Sequence, residues 1–299
     1  MTSPMWSGAP DPAAPAAPRT VAVVTDSTAY LPPDVAQRFG IHVVPLHVKA
    51  GDRLLLEGIE LLPDQFAKWI TSPGRTASTQ PPSVAEFKAA YDAIPMHDIV
   101  SIHLSGRLSG TREAAVSAAY ELADAGRRRV KVVDSRQAAM GLGFAVIEAA
   151  QAAARGADLF DVAAAAEESA RRTSMIFYVE TLEYLRRGGR IGGAAALLGT
   201  ALQMKPLLHL VNGTIEPMAR VRGGSKALQR LEDTIVEEAG SDSIDVCIHH
   251  LAAQEGADAL GSRLRSRLPG LEMMYQSEVG AVIGAHVGPG LLGAVLHRR

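Results

Sequence analysis

The chain has 299 residues, of which 47% are hydrophobic and 21% charged, and its formal net charge is −2. This length suits two modest domains and is ample for a sizeable hydrophobic core. A nearly balanced charge argues against a nucleic-acid-binding protein, which normally carries a basic face and a high pI.

The N-terminal segment and the cysteine usage bear on the cellular setting. Residues 1–19 contain five prolines and lack the basic start and apolar stretch of a secretory signal, so they are predicted to be a disordered leader. Cys247 is the only cysteine and fits a reducing, cytoplasmic setting. No apolar run reaches the roughly 18 residues that span a bilayer, so a soluble protein without stable membrane insertion is expected.

In the first half of the chain, residues 20–170, strand-like runs alternate with helical patterns. The runs VAVVTD, DIVSIH and VKVVD are each followed by an amphipathic or Ala-rich helical stretch. This alternation predicts βα units around a mostly parallel sheet, that is, an N-terminal α/β domain.

Three of the predicted strands end in hydroxyl-bearing segments, Thr25-Asp26-Ser27, Leu104-Ser105-Gly106 and Val133-Asp134-Ser135. Ligands of open α/β sheets bind at the carboxyl ends of the strands. Ser and Asp are also ordinary helix caps, and capping is the favoured interpretation of Asp134-Ser135. Ser105 lies in LSGRLSGT, whose glycines let backbone N–H groups approach a ligand, so it is a candidate contact.

The second half, residues 171–299, has a different pattern of predicted elements and is predicted to be a mixed α/β domain. The strand SMIFYVE leads into the helix TLEYLRRGG, and Asn212-Gly213 between apolar arms predicts a type I′ hairpin. Residues 280–296 are predicted to form a strand, a glycine turn and a final helix, with Pro289 in that helix's first turn.

Several catalytic and cofactor signatures are missing from the sequence. It contains no G-x-x-x-x-G-K-[ST] phosphate loop, no G-x-G-x-x-G fingerprint, no G-x-S-x-G elbow and no H-E-x-x-H or cysteine cluster. His249 and His250 are adjacent on a predicted strand and face opposite ways, so they are not expected to share a metal. The residues therefore give no indication of a catalyst, and no cofactor or metal is predicted.

The chemistry that remains consists of cations and hydroxyls close to glycines. These residues are Ser78, Thr79, Arg186, Arg187, Arg190, Arg220, Arg222 and His286. Arginine beside glycine is typical of an anion-binding loop, because the guanidinium fork and free backbone N–H groups can act together. Arg186 and Arg187 are interpreted as solvated surface residues, and a histidine among small residues is more often a core group. The residues alone therefore indicate only an anion site.

Seven segments, in their order along the chain, resemble the DegV family of bacterial fatty-acid-binding proteins that serve a fatty acid kinase. They are VAVVTDSTAYLP, STQP, LSGRLSGT, VVDS, LRRGGRI, KPLLHLVNGTI and GAHVGPG, and the resemblance extends over essentially the whole chain from about Val21 onwards. The resemblance implies a two-domain α/β fold that encloses one long-chain fatty acid between a parallel-sheet domain and a mixed domain. It also implies a non-catalytic protein that presents the acyl carboxylate to a partner kinase. The kinase uses ATP to form an acyl phosphate for phospholipid synthesis.

The resemblance assigns roles to residues that already carry anion-seeking chemistry. The family's hydroxyl segment matches Ser78-Thr79 with the order of Ser and Thr reversed, which leaves open which of the two holds the carboxylate. Ser105 matches the first of two family serines, and His286 matches a histidine near the carboxylate. Arg190 and Arg222 match arginines on the side of the phosphate or the kinase.

Three alternatives stay open at this point. The first is a hydrolase of lipid-like esters that uses Ser105 as nucleophile and His286 as base, since a triad requires only spatial proximity. The second is a binding protein for another amphiphilic carboxylate, such as a terpenoid. The third is a regulatory partner protein without a ligand.

Overall fold

The computed structural model describes residues 20–198 and 204–299, which form two compact units. The first unit comprises the described residues up to Pro45 together with Pro81–Arg171, and the second comprises Leu46–Gln80 together with the described part of Arg172–Arg299. The predicted leader, residues 1–19, lies outside the described residues. The sequence placed residues 46–80 in the N-terminal domain, whereas the structure places them in the second unit. The physical reason is that their strands pair with one another and pack against a C-terminal helix.

The strands are numbered in chain order. They are β1 (Val21–Asp26), β2 (His42–Val44), β3 (His47–Ala50), β4 (Arg53–Leu56), β5 (Ala77–Gln80), β6 (Asp98–His103), β7 (Arg129–Asp134), β8 (Thr173–Tyr178), β9 (Met204–Val211), β10 (Thr214–Arg222), β11 (Ile244–His250), β12 (Leu271–Glu278) and β13 (Leu292–Arg298).

The α-helices are numbered in the same way. They are α1 (Pro33–Phe39), α2 (Pro63–Ile70), α3 (Val84–Asp92), α4 (Thr111–Asp124), α5 (Met140–Ala154), α6 (Leu159–Arg171), α7 (Glu183–Arg187), α8 (Gly224–Ala239), α9 (Gln254–Arg267) and α10 (Ala281–Val287). Short 3-10 helices occupy Ser27–Ala29 and Gly192–Leu197. None of the helices in the described ranges has the length and apolar character needed to cross a bilayer.

The first unit is built on a four-stranded sheet in the order β2-β1-β6-β7, and every strand pair in it is parallel. The central strand β1 is buried along its whole length, as expected for a parallel strand that is covered on both faces. The predicted parallel sheet of the N-terminal half is confirmed.

The helix α5 packs deep inside the first unit, where it contacts α6 and β1. Its sequence is mostly alanine, glycine and apolar residues, and nearly all of them are buried. A Cβ atom on Gly143 would lie 2.7 Å from the carbonyl oxygen of Ala29, so the missing side chain is what allows this close approach. The low aromatic content is thus compatible with a dense core because small residues bring backbones together.

The second unit contains two sheets. The larger is mixed, in the order β10-β9-β8-β13-β11-β12, with β11 and β12 parallel and the other pairs antiparallel. The smaller is antiparallel, in the order β4-β3-β5. The predicted mixed character of the C-terminal half is confirmed.

The hairpin between β9 and β10 has the predicted two-residue loop. Val211 pairs with Thr214 across it, and Asn212 and Gly213 have positive φ angles of 49° and 81°. Positive φ at both central positions defines a type I′ turn, whose twist matches that of the flanking strands. The prediction is confirmed.

The C-terminal segment reverses the predicted order of elements. Residues 281–287 form the helix α10 rather than a strand, and the final segment is the strand β13 rather than a helix. Pro289 lies in the turn between them, beside Gly288 and Gly290 with φ of 75° and 85°. The prediction was wrong because short, uniformly apolar runs carry no period that separates a buried helix from a buried strand.

Candidate functional site

The second unit contains a pocket of about 420 Å³. Its walls come from β5 and the residue before it, from α7 with the turn that follows, and from the last turn of α10. The lining residues are Thr76, Ala77, Ser78, Thr79, Tyr184, Arg187, Gly188, Arg190, Ala285 and His286. Four of the six carboxylate- and anion-contact residues predicted from sequence, Ser78, Thr79, Arg190 and His286, therefore meet in one place.

The centre of the pocket is a hydrogen bond between two side chains that lie far apart in the sequence. Thr79 Oγ1, on β5, lies 2.9 Å from His286 Nε2, in the last turn of α10. Ser78 also lines the pocket and is more exposed than Thr79. Adjacent strand residues point to opposite faces, so only Thr79 is directed at the imidazole.

Gly188 determines how closely α7 approaches the imidazole. A Cβ atom at this position would lie 2.0 Å from His286 Nδ1, which no side chain could tolerate without displacing the ring. The glycine pair of LRRGGR is therefore required partly by close packing on His286 and not only by the turn that ends α7.

Burial and the positive charge of Arg190 lower the pKa of His286 to about 4, so the imidazole is neutral at pH 7. Its Nδ1 atom is buried and has no hydrogen-bond partner among the described residues. If Nδ1 carries the proton, Nε2 accepts from Thr79 and the Nδ1–H donor is left over. If Nε2 carries the proton, it donates to Thr79 and the threonine hydroxyl proton is left over. Because Nδ1 is buried against Gly188, the donor that can face an anion in the pocket is the Thr79 hydroxyl of the second tautomer.

Two arginines supply positive charge at the wall. Arg190 is partly buried, and its Nη1 donates to the carbonyl oxygen of Gly188 at 2.5 Å. Arg187 Nε donates to Glu183 Oε1 at 2.7 Å. Arg187 is exposed, as the sequence indicated, but its position in the pocket wall was missed.

Arg186 is a surface residue, as predicted. It is exposed and makes two hydrogen bonds to Glu183, at 2.9 and 2.8 Å. Hydrogen bonds from Arg186 and then Arg187 lower the pKa of Glu183 to about 2, so this carboxylate stays ionised. The group is solvent-exposed, and its ion pairs are expected to contribute little to stability.

Arg222, predicted to act near the phosphate or the kinase, lies at the end of β10 and is exposed. It is not one of the residues that line the pocket. Arg220, two residues earlier on the same strand, is also exposed and donates to the carbonyl oxygen of Ala196 at 3.1 Å.

Ser105 lies in the first unit, in the loop after β6, and is fully buried. Its backbone N–H donates to the Gln137 carbonyl oxygen at 2.8 Å, and its hydroxyl accepts from Arg107 N at 3.2 Å. The next residue, Gly106, donates to Asp134 Oδ1 at 3.3 Å, so Asp134 organises this loop. The same Asp134 atom accepts from Arg136 N at 2.9 Å, a local bond of the capping kind that the sequence favoured.

Next to that loop lies a network of buried polar side chains that are hydrogen-bonded to one another. Tyr91 donates to Ser101 Oγ at 2.8 Å, Ser101 Oγ lies 2.7 Å from His103 Nε2, and His103 Nδ1 lies 3.0 Å from Asp26 Oδ2. Asp26 also accepts from Leu104 N at 3.0 Å, which fixes the residue immediately before Ser105. The network holds the Ser105 loop in place from below.

Sequence reasoning missed several residues of the pocket. Tyr184 lies one helical turn before Arg187 and Gly188, so helical spacing within TLEYLRRGG could have placed all three on one face. Thr76 precedes β5 and carried no signal of its own. Nowhere in residues 20–198 or 204–299 do three or more His, Cys, Asp or Glu side chains gather in a way that could hold a metal ion.

The fold and the pocket together define a class of protein. It is an α/β protein of two units, one with a parallel sheet and one with a mixed sheet, and the second unit carries a donor-rich pocket suited to an anion. The hydroxyls, the neutral imidazole and the two arginines of that pocket can bind a carboxylate or phosphate without a metal.

The family is shown by comparison with known proteins. The model of the DegV family, described as an uncharacterised protein family, matches residues 20–299, and the chain belongs to this family. A DegV domain-containing protein of Streptomyces coelicolor is 50% identical over 284 residues, which cover 94% of this chain and 99% of that protein. The family resemblance inferred from the seven sequence segments is confirmed.

Solved structures of DegV proteins share the fold. A fatty-acid-binding DegV family protein of Thermus thermophilus superposes with a TM-score of 0.85 at 35% identity, over 94% of this chain and all of that one. DegV of Bacillus subtilis, a fatty-acid-binding protein, superposes with a TM-score of 0.84 at 31% identity over the same shares.

Proposed function

We propose that this protein binds a long-chain fatty acid and presents its carboxylate to a partner kinase, which phosphorylates it to an acyl phosphate. The observation that carries the proposal is the Thr79–His286 pair, which, with Nε2 protonated, leaves the Thr79 hydroxyl proton unused in a pocket flanked by Arg187 and Arg190. Fatty-acid binding by the Thermus thermophilus and Bacillus subtilis proteins supports the choice of ligand.

The chemistry of the pocket suits a carboxylate that must remain reactive. A neutral His286 orients the Thr79 hydroxyl, which donates a hydrogen bond to the anion, and neither group gives up a proton to it. Ser78 can add a second donor, and Arg190 stabilises the negative charge from the wall. That Ser105 also contacts the carboxylate stays a prediction. In this proposal His286 holds an anion and does not act as a base.

The proposal divides the reaction between two proteins. This chain contributes the acyl group, whose burial stabilises the complex by about 0.8 kcal/mol per methylene. A carboxylate oxygen attacks the γ-phosphorus of ATP on the kinase, the new O–P bond gives the acyl phosphate, and ADP leaves. The kinase supplies the nucleotide site, and the acyl phosphate then serves phospholipid synthesis. Arg222 is proposed to act on the phosphate or kinase side.

We place this activity in the cytoplasm. Burial raises the pKa of the Cys247 thiol to about 12, which makes it an inert core group suited to a reducing compartment.

Native mass spectrometry tests the ligand. Protein purified from an expressing culture is expected to carry one long-chain fatty acid, and delipidated protein is expected to bind one equivalent of added oleate. Absence of both the co-purified acid and the oleate complex would overturn the proposal. A bound mass that fits a different amphiphilic carboxylate would replace the fatty acid with that class.

Kinase coupling tests the residue roles. We expect His286→Ala and Arg222→Ala to lower acyl phosphate formation with the cognate kinase while the thermal unfolding transition stays cooperative. Arg220→Ala is the matched control for Arg222, since both are exposed on β10, and Arg186→Ala is a surface control on α7. Full turnover by both test variants would show that these roles are assigned wrongly.

The hydrolase alternative has its own assay. A lipid-like ester such as a p-nitrophenyl acyl ester is expected to show no turnover above background. Turnover that disappears in Ser105→Ala would favour the hydrolase over the carrier.

A further inference from the structure

Glu57 is a buried carboxylate that the binding site described above does not use. It directly follows β4 and is 3% exposed. Its backbone N–H donates to the Leu46 carbonyl oxygen at 2.9 Å, which continues the pairing of β4 with β3. Its side-chain Oε1 accepts from the backbone N–H of Val282 at 2.7 Å, a bond between residues 225 positions apart in the chain. The carboxylate therefore ties the small sheet to α10.

The helix α10 depends on partners from elsewhere in the second unit. The first N–H groups of any helix have no partner inside the helix, and the N-cap residue here is Gly280, which has no side chain to supply one. Glu57 supplies an acceptor at this end of the helix, where the helix dipole is positive. With seven residues, α10 is too short to be stable alone, so its position depends on what holds it.

The same sheet holds α10 at both ends. Glu57 follows β4 and Thr79 lies on β5, the two edge strands of the order β4-β3-β5. Val282, held by Glu57, lies one helical turn before His286, held by Thr79. Between them, Gly284 fits against Phe66 of α2, where a Cβ atom would lie 2.6 Å from the ring. The helix is thus fixed at its start, its middle and its end.

We propose that Glu57 is a positioning residue of the anion pocket, which fixes α10 so that His286 meets Thr79. Its link to ligand affinity rests on the proposed function, but its effect on His286 does not require any ligand. Replacing the acceptor frees the start of α10 and moves the imidazole away from the threonine hydroxyl.

The test compares variants of Glu57 with a control in the same loop. Glu57→Met fills the same space without an acceptor, and Glu57→Gln keeps a carbonyl oxygen for Val282. Glu60→Ala removes an exposed carboxylate that accepts from Leu56 N within the same loop. The side-chain signals of His286 in ¹⁵N-histidine-labelled, ligand-free protein are followed by NMR from pH 7 to 4. They are assigned by their loss in His286→Asn, and thermal unfolding confirms that each variant is folded.

We expect Glu57→Met to shift the His286 signals and raise its pKa towards the ordinary 6.5, because the ring becomes more exposed to water. We expect its dissociation constant for oleate to rise about tenfold, the loss of roughly one good hydrogen bond. Glu57→Gln and Glu60→Ala are expected to match the wild type in both measurements.

A folded Glu57→Met protein with wild-type His286 signals and titration would overturn the inference. If Glu57→Met does not fold, Glu57→Asp decides, because it keeps the charge but is one methylene too short to reach Val282 unless α10 moves. Unchanged His286 signals in that variant would also overturn it. If the wild type binds no oleate, the proposed function fails while the His286 signals still decide the role of Glu57.

Discussion

Each unit contains a histidine whose Nε2 atom is hydrogen-bonded to a hydroxyl side chain. The two histidines differ in the partner of the other ring nitrogen and in their exposure. In the first unit His103 Nε2 meets Ser101 at 2.7 Å, and in the second His286 Nε2 meets Thr79 at 2.9 Å. The other nitrogen of His103 meets Asp26 at 3.0 Å, whereas the other nitrogen of His286 has no partner among the described residues.

The surroundings of the two imidazole rings also differ, because His103 is enclosed in the core and His286 lies at a pocket. His103, Ser101 and Asp26 are completely buried, and Phe87 packs edge-on against the imidazole at 5.0 Å between ring centroids. His286 lines a pocket. The Ser-His-Asp set of the first unit has the composition of a hydrolase triad, but its serine hydroxyl is sealed from any substrate. A fully hydrogen-bonded and buried histidine supports the fold, whereas His286 and its partner Thr79 line a pocket that is open to a ligand.

The largest expected effect comes from breaking the buried hydrogen-bond network of the first unit, which links Tyr91, Ser101, His103 and Asp26. Asp26→Ala removes the acceptor of His103, Leu104 and Thr28 and leaves their polar groups buried without partners. We expect the free energy of unfolding to fall by about 3–5 kcal/mol. Urea unfolding followed by circular dichroism measures it, and a loss below about 1 kcal/mol would contradict the structural role of the network.

Acidification is expected to have the next largest effect. Burial lowers the pKa of His249, His286 and His297 to about 4, below the value of 6.5 for an unfolded chain. Between pH 6.5 and 4 the unfolded state therefore binds more protons, so stability is lost as the pH falls through this window. Each fully buried histidine is expected to contribute a loss on the order of 2 kcal/mol between pH 7 and 5, and the partly exposed His286 less.

Urea unfolding at pH 7, 6 and 5 checks this pH dependence. His297→Gln is the variant to compare, because it removes one of the buried titrating groups. Its free energy of unfolding should fall less steeply with acidification than that of the wild type. Parallel curves would show that His297 does not titrate in this way.

A smaller effect is expected from adding one methyl group beside the Thr79–His286 pair. Gly188→Ala places a Cβ where His286 Nδ1 now lies, and overpacking of this kind typically destabilises by about 1–3 kcal/mol. The ring must move, so the NMR signals of His286 should shift. The matched change in the first unit is Gly106→Ala, whose Cβ would meet the flexible Glu113 side chain at 3.1 Å. Equal costs at the two glycines would argue against close packing of α7 on His286.

The smallest effect on stability is expected at the ligand-facing histidine itself. His286→Ala should change the free energy of unfolding by less than about 1 kcal/mol, because water at the pocket can replace its bond to Thr79. The same variant should weaken oleate binding about tenfold, measured by calorimetry. A loss of stability as large as that of Asp26→Ala would erase the distinction between the two histidines.

The parts of the fold that the sequence predicts are those with a strong local signal. β1, β6 and β7 are short runs rich in Val and Ile or Ala that lead into hydroxyl-bearing segments, and Asn212-Gly213 specifies its turn by backbone preference alone. The run AVIGAHV carries no such signal, since small apolar residues pack equally well in a buried helix or strand. It became a helix because of partners distant in sequence, Glu57, Phe66 and Thr79.

The residues of the candidate site also divide into those that sequence motifs predict and those that they do not. Thr79, Ser78, Arg190 and His286 were predicted from motifs, and the structure brings them to one pocket. Arg187 was interpreted as surface because nothing in the dipeptide Arg186-Arg187 tells which arginine faces the pocket. Glu57 gave no signal, because a carboxylate between apolar residues resembles any exposed strand position until its partner is known.

The insertion of residues 46–80 into the second unit has a consequence for synthesis. Thr79 and His286 are 207 residues apart, so β5 leaves the ribosome long before α10 exists. At about 5–20 residues per second, the small sheet waits roughly 10–40 s for the helix that completes its packing. During that interval the first unit can close its own sheet and core. The order of translation therefore favours completion of the parallel-sheet unit first. The ligand pocket is then one of the last parts of the nascent protein to form.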